Sequence, residues 1–193
     1  MEGMREEPGA SGGAAELVVL LDPAGAPVGQ ADKASVHDAP APYHLAFSCY
    51  AFDRSGALLV TRRALAKRTW PGVWSNSCCG HPAPGEPLAA AVRRRLRDEL
   101  GLEPAALRLA LADFSYRARQ GAVEEHELCP TFLCRVGGDP TPAPGEVAAW
   151  RWQPWATFLA DARRPGGGLS PWARLQADRL EAEGHVARFL ATT

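Results

Sequence analysis

The sequence predicts a single α/β domain, a sandwich built on a mixed β-sheet, on three observations. Short apolar runs bounded by turn residues recur through 16–63 and 108–153 and read as strands, mostly in hairpins. Between them, residues 87–101 carry apolar side chains at helical spacing, and a second amphipathic stretch closes the chain. The length of 193 residues suits one domain with a sizeable core and is short for two, so 16–193 is read as that domain.

Residues 1–15, rich in Gly, Ala and Glu, read as a disordered tail. ELVVLLD (16–22) is a strand ended by Pro23, Ala24 and Gly25. A polar loop holding Lys33 and His37 follows, where Pro40 and Pro42 exclude a helix. YHLAFSCYAF (43–52), DRSG and ALLVTRR (57–63) form a hairpin with a short Gly-containing loop. Trp74 to Gly80 offers one more strand, although its Ser, Asn and Cys content is untypical of one.

PLAAAVRRRLRDELG (87–101) is the clearest helix. Pro87 suits its first position, Gly101 its stop, and Leu88, Val92, Leu96 and Leu100 with Ala91 make one apolar stripe. Arg95 and Glu99 are four apart on a second face, as are Arg94 and Asp98. RLALADFSYRA (108–118) and EHELCPTFLCRV (125–136) read as two strands. A Pro/Gly-rich connection (137–146) leads to a strand at VAAWRWQP and a short helix at PWATFLADARR. SPWARLQADRLEAEGHVARFL (170–190) reads as one helix, capped by Ser170 and started by Pro171.

A formal net charge of −1 offers no basic surface for nucleic acid. The five cysteines are odd in number, two are adjacent, and no C-x-x-C pair occurs, which argues against a disulfide framework and a zinc ribbon. MEGMREEPGASGGAAE lacks an apolar signal-peptide core, and no apolar run is long enough to span a bilayer. The expectation is a reduced, cytoplasmic protein with no membrane or nucleic-acid partner.

Chemistry concentrates between Trp70 and Leu102. From Gly80 the spacing is five residues to Glu86, seven to Arg94, then Arg95-Leu96-Arg97-Asp98-Glu99-Leu100-Gly101-Leu102. This resembles the Nudix box, G-x5-E-x7-R-E-U-x-E-E-x-G-U with U aliphatic, and implies a Nudix-type α/β/α sandwich whose loop and helix bind Mg²⁺ against a diphosphate. Two positions depart: Arg95 stands where the box has Glu, and Asp98 replaces the first Glu of the pair. A base in place of a ligand carboxylate weakens multi-Mg²⁺ hydrolysis and leaves Glu99 as the helix's Mg²⁺ ligand.

The flanks give the departure a context. YHLAFS (43–48), TRRALAK (61–67), WPGVWSNSCCGHP (70–82), SYRA (115–118), EHELCP (125–130) and SPW (170–172) are similar to the type 1 isopentenyl-diphosphate Δ-isomerases, from about Val18 to Trp172. The resemblance implies interconversion of isopentenyl and dimethylallyl diphosphate in isoprenoid biosynthesis, by a monomer or weak homodimer.

On a strand Glu125 and Glu127 face the same way, and an extended segment presents Cys79 and His81 together. His37 and His44 come from a loop and a strand start. By spacing alone, any one of these histidines is more often a surface or hydrogen-bonded residue than a ligand. The resemblance implies that His37, His44, His81, Glu125 and Glu127 hold one Zn²⁺ or Mn²⁺, a donor set that suits such ions.

Moving a double bond needs an acid and a base. The resemblance implies Cys79 as one and Glu127 with Tyr116 as the other. The position directly before Gly80-His81 selects Cys79 over Cys78, while Cys49, Cys129 and Cys134 suit small buried apolar roles. Trp172 is implied to face the carbocation, and Lys33, Arg63, Lys67 and Arg95 the diphosphate. Trp70 and Trp74 read as packing, and His126 and His185 as structural. The rival readings are a Nudix hydrolase of a nucleoside or prenyl diphosphate, against which Arg95 argues, and a non-catalytic binding module.

Overall fold

The computed structural model describes residues 16–192, so the expected tail at 1–15 lies outside the described residues. Along the chain run β1 (Leu17–Leu21), β2 (Pro27–Asp32), β3 (His44–Leu45), β4 (Phe47–Phe52), β5 (Leu58–Arg63), β6 (Trp74–Ser75), β7 (Cys78–Gly80) and α1 (Leu88–Leu100). Then come β8 (Pro104–Leu111), β9 (Ser115–Gln120), β10 (Val123–Leu128), β11 (Thr131–Val136), β12 (Val147–Gln153), α2 (Trp155–Arg163), α3 (Pro171–Ala182) and α4 (His185–Thr192).

The strands form two mixed sheets. One has the order β2-β1-β3-β10-β9; the larger has β12-β5-β4-β11-β8, with β6 beside β5 and β7 beside β4. Strand β4 sits at the centre of the larger sheet, and all six of its residues are buried. Its faces serve different cores. Phe47, Cys49 and Ala51 pack with Ala91, Val92, Leu96 and Leu100 of α1. Tyr50 and Phe52 pack with Phe158 of α2, Leu180 of α3 and Phe189 of α4. A sheet covered on both faces has no polar side, which is why β4 and β11 lack alternation. The α/β/α sandwich follows from that two-sided burial.

Several elements differ from the sequence reading. Strand β2 lies where a loop is expected; all its residues but the half-buried Ala31 are exposed, and as an edge strand it is held by pairing with β1 rather than by burial. The β4–β5 hairpin shares the single pair Phe52↔Leu58, because β7 occupies β4 at Phe47–Cys49 and β5 turns to β12. The segment from Trp74 to Gly80 is two short strands.

Each of the two long runs, 108–118 and 125–136, is two strands, because the chain passes from one sheet to the other at 112–114 and at 129–130. The last helix is broken at Gly184, whose φ of +64° suits the left-handed region that glycine enters freely. Pro87 takes the N-cap position of α1 rather than its first turn. Ser170 makes no side-chain cap; its hydroxyl lies 2.8 Å from that of Ser75.

Candidate active site

The site lies where the two sheets meet. The parallel pair β3/β10 puts His44 opposite Glu127, and the antiparallel pair β9/β10 puts Tyr116 opposite Glu127. In the larger sheet, β4/β7 puts Ser48 opposite Cys79. The chain leaves β3 for β4 and β10 for β11 side by side, so Ser48, Cys79, Tyr116 and Glu127 line one cavity of about 560 Å³, with His44 buried beside Glu127.

On one wall, His37, His44, His81 and Glu127 bring one ligand atom each to within 4.8 Å of one another. Nε2 of His44 and of His81 are each 3.3 Å from Glu127 Oε1. His44 Nδ1 donates to the Pro42 carbonyl at 2.9 Å, because a carbonyl can only accept, and this leaves the Nε2 lone pair turned inward. His37 Nδ1, His44 Nε2 and His81 Nδ1 are buried without a hydrogen-bond partner. Imidazole nitrogens left unsatisfied around a buried carboxylate match the needs of a divalent metal ion.

Electrostatics separate these groups. Burial, then the charge of His81, lowers His37 to about 4, and burial also lowers His81. At His44 burial works the same way, but the Glu127 carboxylate 3.3 Å away outweighs it and the net shift is upward. Glu127 is buried, yet the imidazoles of His44 and His81, each 3.3 Å away, hold it well below the usual carboxylate range.

Glu125 behaves differently. Burial, then the neighbouring charge of Glu127, pushes it up to about 8. Tyr116 Oη lies 2.5 Å from Glu125 Oε2 and 2.9 Å from Glu127 Oε2. One phenol proton cannot serve two carboxylates, and a protonated Glu125 resolves the arrangement. The four-residue cluster does not include Glu125, whose Oε2 accepts from Tyr116.

Across β7, Cys79 lines the cavity while Cys78 is buried against α1. Burial pushes the Cys79 thiol up to about 11, so it holds its proton at neutral pH. Trp172 is buried, with its ring centroid 6.0 Å from that of Tyr116 and 5.5 Å from that of Trp70. Cys129, which sequence suggests is simply core, also lines the cavity.

Lys33, Arg63, Lys67 and Arg95 line the same cavity, each already engaged. Lys33 pairs with Glu16 at 2.7 Å, and Lys67 pairs with Glu146. Arg63 donates to the Thr69 carbonyl at 3.0 Å and to its hydroxyl at 2.6 Å, with its guanidinium 5.5 Å from the Trp172 ring centre. Arg95 is held by Glu99 at 2.5 Å and Glu146 at 3.2 Å.

Gly80 makes room for Arg95. A Cβ on Gly80 would lie 3.0 Å from Arg95 Cγ and 3.1 Å from Phe47 Cζ, so a side chain there would press the arginine stem outward. Glu99 stands behind Arg95, and Glu86 at the loop takes Arg94 through two bonds of 2.8 Å. Sequence reasoning missed Glu146, which lies in a Pro/Gly-rich connection with no local pattern to mark it, and Asn76, treated below.

The features that frame this cavity are those of a Nudix domain. The NUDIX domain family model matches residues 42–173, and the chain belongs to that family. Among solved structures, a Deinococcus radiodurans protein superposes with TM-score 0.68 at 21% identity, covering 85% of this chain and 98% of that one. A MutT protein from Methanosarcina mazei does so at TM-score 0.59 and 20% identity, covering 74% and 96%. At those identities the likeness concerns the fold.

Sequence relatives are closer. A protein of Frankia alni named isopentenyl-diphosphate Delta-isomerase is 50% identical over 181 residues, 93% of this chain and 92% of that one. One of the same name from Mycolicibacterium vanbaalenii is 53% identical over 171 residues, 88% and 94%. The chain belongs to the isopentenyl-diphosphate Delta-isomerase family.

Proposed function

We propose that the protein moves the double bond of isopentenyl diphosphate to give dimethylallyl diphosphate, adding a proton at one carbon and removing one at another. Family membership supports the reaction. The observation that carries it on this chain is a single cavity holding a thiol, an ionised carboxylate bridged by a phenol, an indole and four cations. A hydrolase of this fold has no task for the thiol and the indole.

Lys33, Arg63, Lys67 and Arg95 take the diphosphate, whose oxygens replace the carboxylate partners of Lys33, Lys67 and Arg95 and the Thr69 partner of Arg63. Arg63 and Arg95 offer forked donors and the lysines point charges. The alkene then lies between Cys79, which carries a proton at neutral pH, and Glu127, which does not. One gives and the other takes, and the roles exchange in the reverse direction. The tertiary cation formed between the two steps is stabilised by the face of Trp172, within walls that exclude water.

His37, His44, His81 and Glu127 would hold Zn²⁺ or Mn²⁺, and Glu99, paired with Arg95, would serve the Mg²⁺ that accompanies a diphosphate. Such ions supply fixed positive charge that keeps Glu127 ionised and offsets the diphosphate. Residues 16–193 act as one domain on a small-molecule substrate; among the described residues no helix is long and apolar enough to cross a membrane.

Incubation with Mg²⁺ and isopentenyl diphosphate in deuterated water tests the reading. Dimethylallyl diphosphate carrying deuterium is the expected product. Release of inorganic phosphate or diphosphate without isomer would sink it.

A further inference from the structure

We propose that Asn76 is a positioning residue for the isomerisation, because one atom, its Oδ1, holds both the thiol of Cys79 and the indole N–H of Trp172. The inference rests on the roles proposed above for those two side chains.

Asn76 lies between β6 and β7 and is 1% exposed. Its amide orientation follows from its partners. Nδ2 faces the carbonyls of Cys49 and Cys78, each at 3.0 Å, and both can only accept. At the other end Trp172 Nε1, which can only donate, lies 3.0 Å from Oδ1. The amide therefore cannot be turned over. Cys79 Sγ lies 3.3 Å from the same Oδ1, and since that oxygen only accepts, the S–H points at it.

The remaining contacts make this a fixed frame. Ser75 Oγ donates to Oδ1 at 2.9 Å and lies 2.8 Å from Ser170 Oγ, which ties β6 to the start of α3 just before Trp172. From another strand, Ser48 Oγ reaches Cys79 Sγ at 3.4 Å. Gln176 Nε2 donates to that Ser48 oxygen at 2.9 Å, so the hydroxyl proton is left for a sulfur. Cys79 is thus set between an acceptor and a hydroxyl it shares with Cys129, and among the described residues Asn76 is its hydrogen-bonded link to the indole.

The side-chain bonds of Asn76 go to Cys49, Ser75, Cys78, Cys79 and Trp172, and none of these belongs to the diphosphate cradle. Loss of the amide should therefore disturb the proton donor and the cation's aromatic face while leaving diphosphate binding intact. A displaced indole also opens the cation to water. Water adds to the cationic carbon and loses a proton, giving the tertiary alcohol diphosphate, which is isopentenyl diphosphate plus water.

The test compares wild type, Asn76→Ala, Trp172→Phe and Cys79→Ala, each loaded with Mg²⁺ and Zn²⁺. It measures kcat, KM and the ratio of tertiary alcohol to dimethylallyl product. Asn76→Ala is expected to lose roughly 100-fold in kcat with KM within about threefold, and to raise the alcohol share. Trp172→Phe keeps an aromatic ring but loses the N–H together with the pyrrole half of the indole, and should shift the product ratio in the same direction.

A purely structural role would lower kcat with the folded fraction and leave the ratio alone. A kcat and ratio within about twofold of wild type in Asn76→Ala overturn the proposal. If that variant does not fold, an unchanged ratio in Trp172→Phe does so. Full activity in Cys79→Ala, or an inactive wild type, instead overturns the reading beneath it.

Discussion

Replacing Arg95 by Met removes the base that sets this helix apart from the Nudix box, and the structure gives the size of the effect. Arg95 is 9% exposed and Glu99 5%, with their side chains 2.5 Å apart along one face of α1. Methionine keeps most of the aliphatic stem over Gly80 but leaves the Glu99 carboxylate buried without its guanidinium. Breaking one partner out of a buried pair costs about 3–5 kcal/mol. For a chain of this size each kcal/mol moves Tm by roughly 2–4 °C, so Arg95→Met should melt about 6–20 °C below wild type.

Adding Glu99→Gln removes the stranded charge and should recover about half of that loss or more, since the penalty lies mainly in the uncompensated carboxylate. Calorimetry on the three proteins measures both values. The same guanidinium is proposed to bind diphosphate, so KM should rise roughly 10- to 100-fold, the worth of a hydrogen bond to a charged group. A melting point within about 2 °C of wild type, or no recovery in the double variant, refutes the reasoning.

Other outcomes follow from the same geometry. Cys79→Ala and Glu127→Gln should each nearly abolish deuterium-tracked isomerisation, whereas Cys78→Ala, packed against α1, should keep most of it; wild-type rates in the first two would sink the site assignment. Glu125 lies outside the cluster of His37, His44, His81 and Glu127, so Glu125→Gln should retain bound metal by elemental analysis while Glu127→Gln loses it. Equal losses would place Glu125 among the ligands. Imidazoles must be neutral to hold a metal, and His44, the one shifted upward, protonates first, so Zn²⁺ affinity measured by titration should fall as pH drops through and below about 6.5, with His37 joining only at about 4. A flat profile down to about pH 5 would count against the histidine cluster.

The amino-acid order by itself determined the elements whose evidence is local. The stripe Leu88, Val92, Leu96 and Leu100 and the stop at Gly101, with φ +65°, specify α1 without any distant partner. Period 2 set Glu125 with Glu127, and Cys79 with His81, on common faces, and the structure brings all four to one cavity. Arg95 was visible as an exception within a fixed spacing.

Tertiary structure decided what depends on partners far along the chain. A strand's periodicity reports its two faces but not its sheet, so the crossings at 112–114 and 129–130 were read as continuous strands. Glu146 meets Arg95 across 51 residues, and Asn76 meets Trp172 across 96. No local pattern encodes such pairs. Glu125 and Glu127 look equivalent in sequence. Burial and the charge of Glu127 raise Glu125, the imidazoles of His44 and His81 hold Glu127 down, and only packing supplies those neighbours.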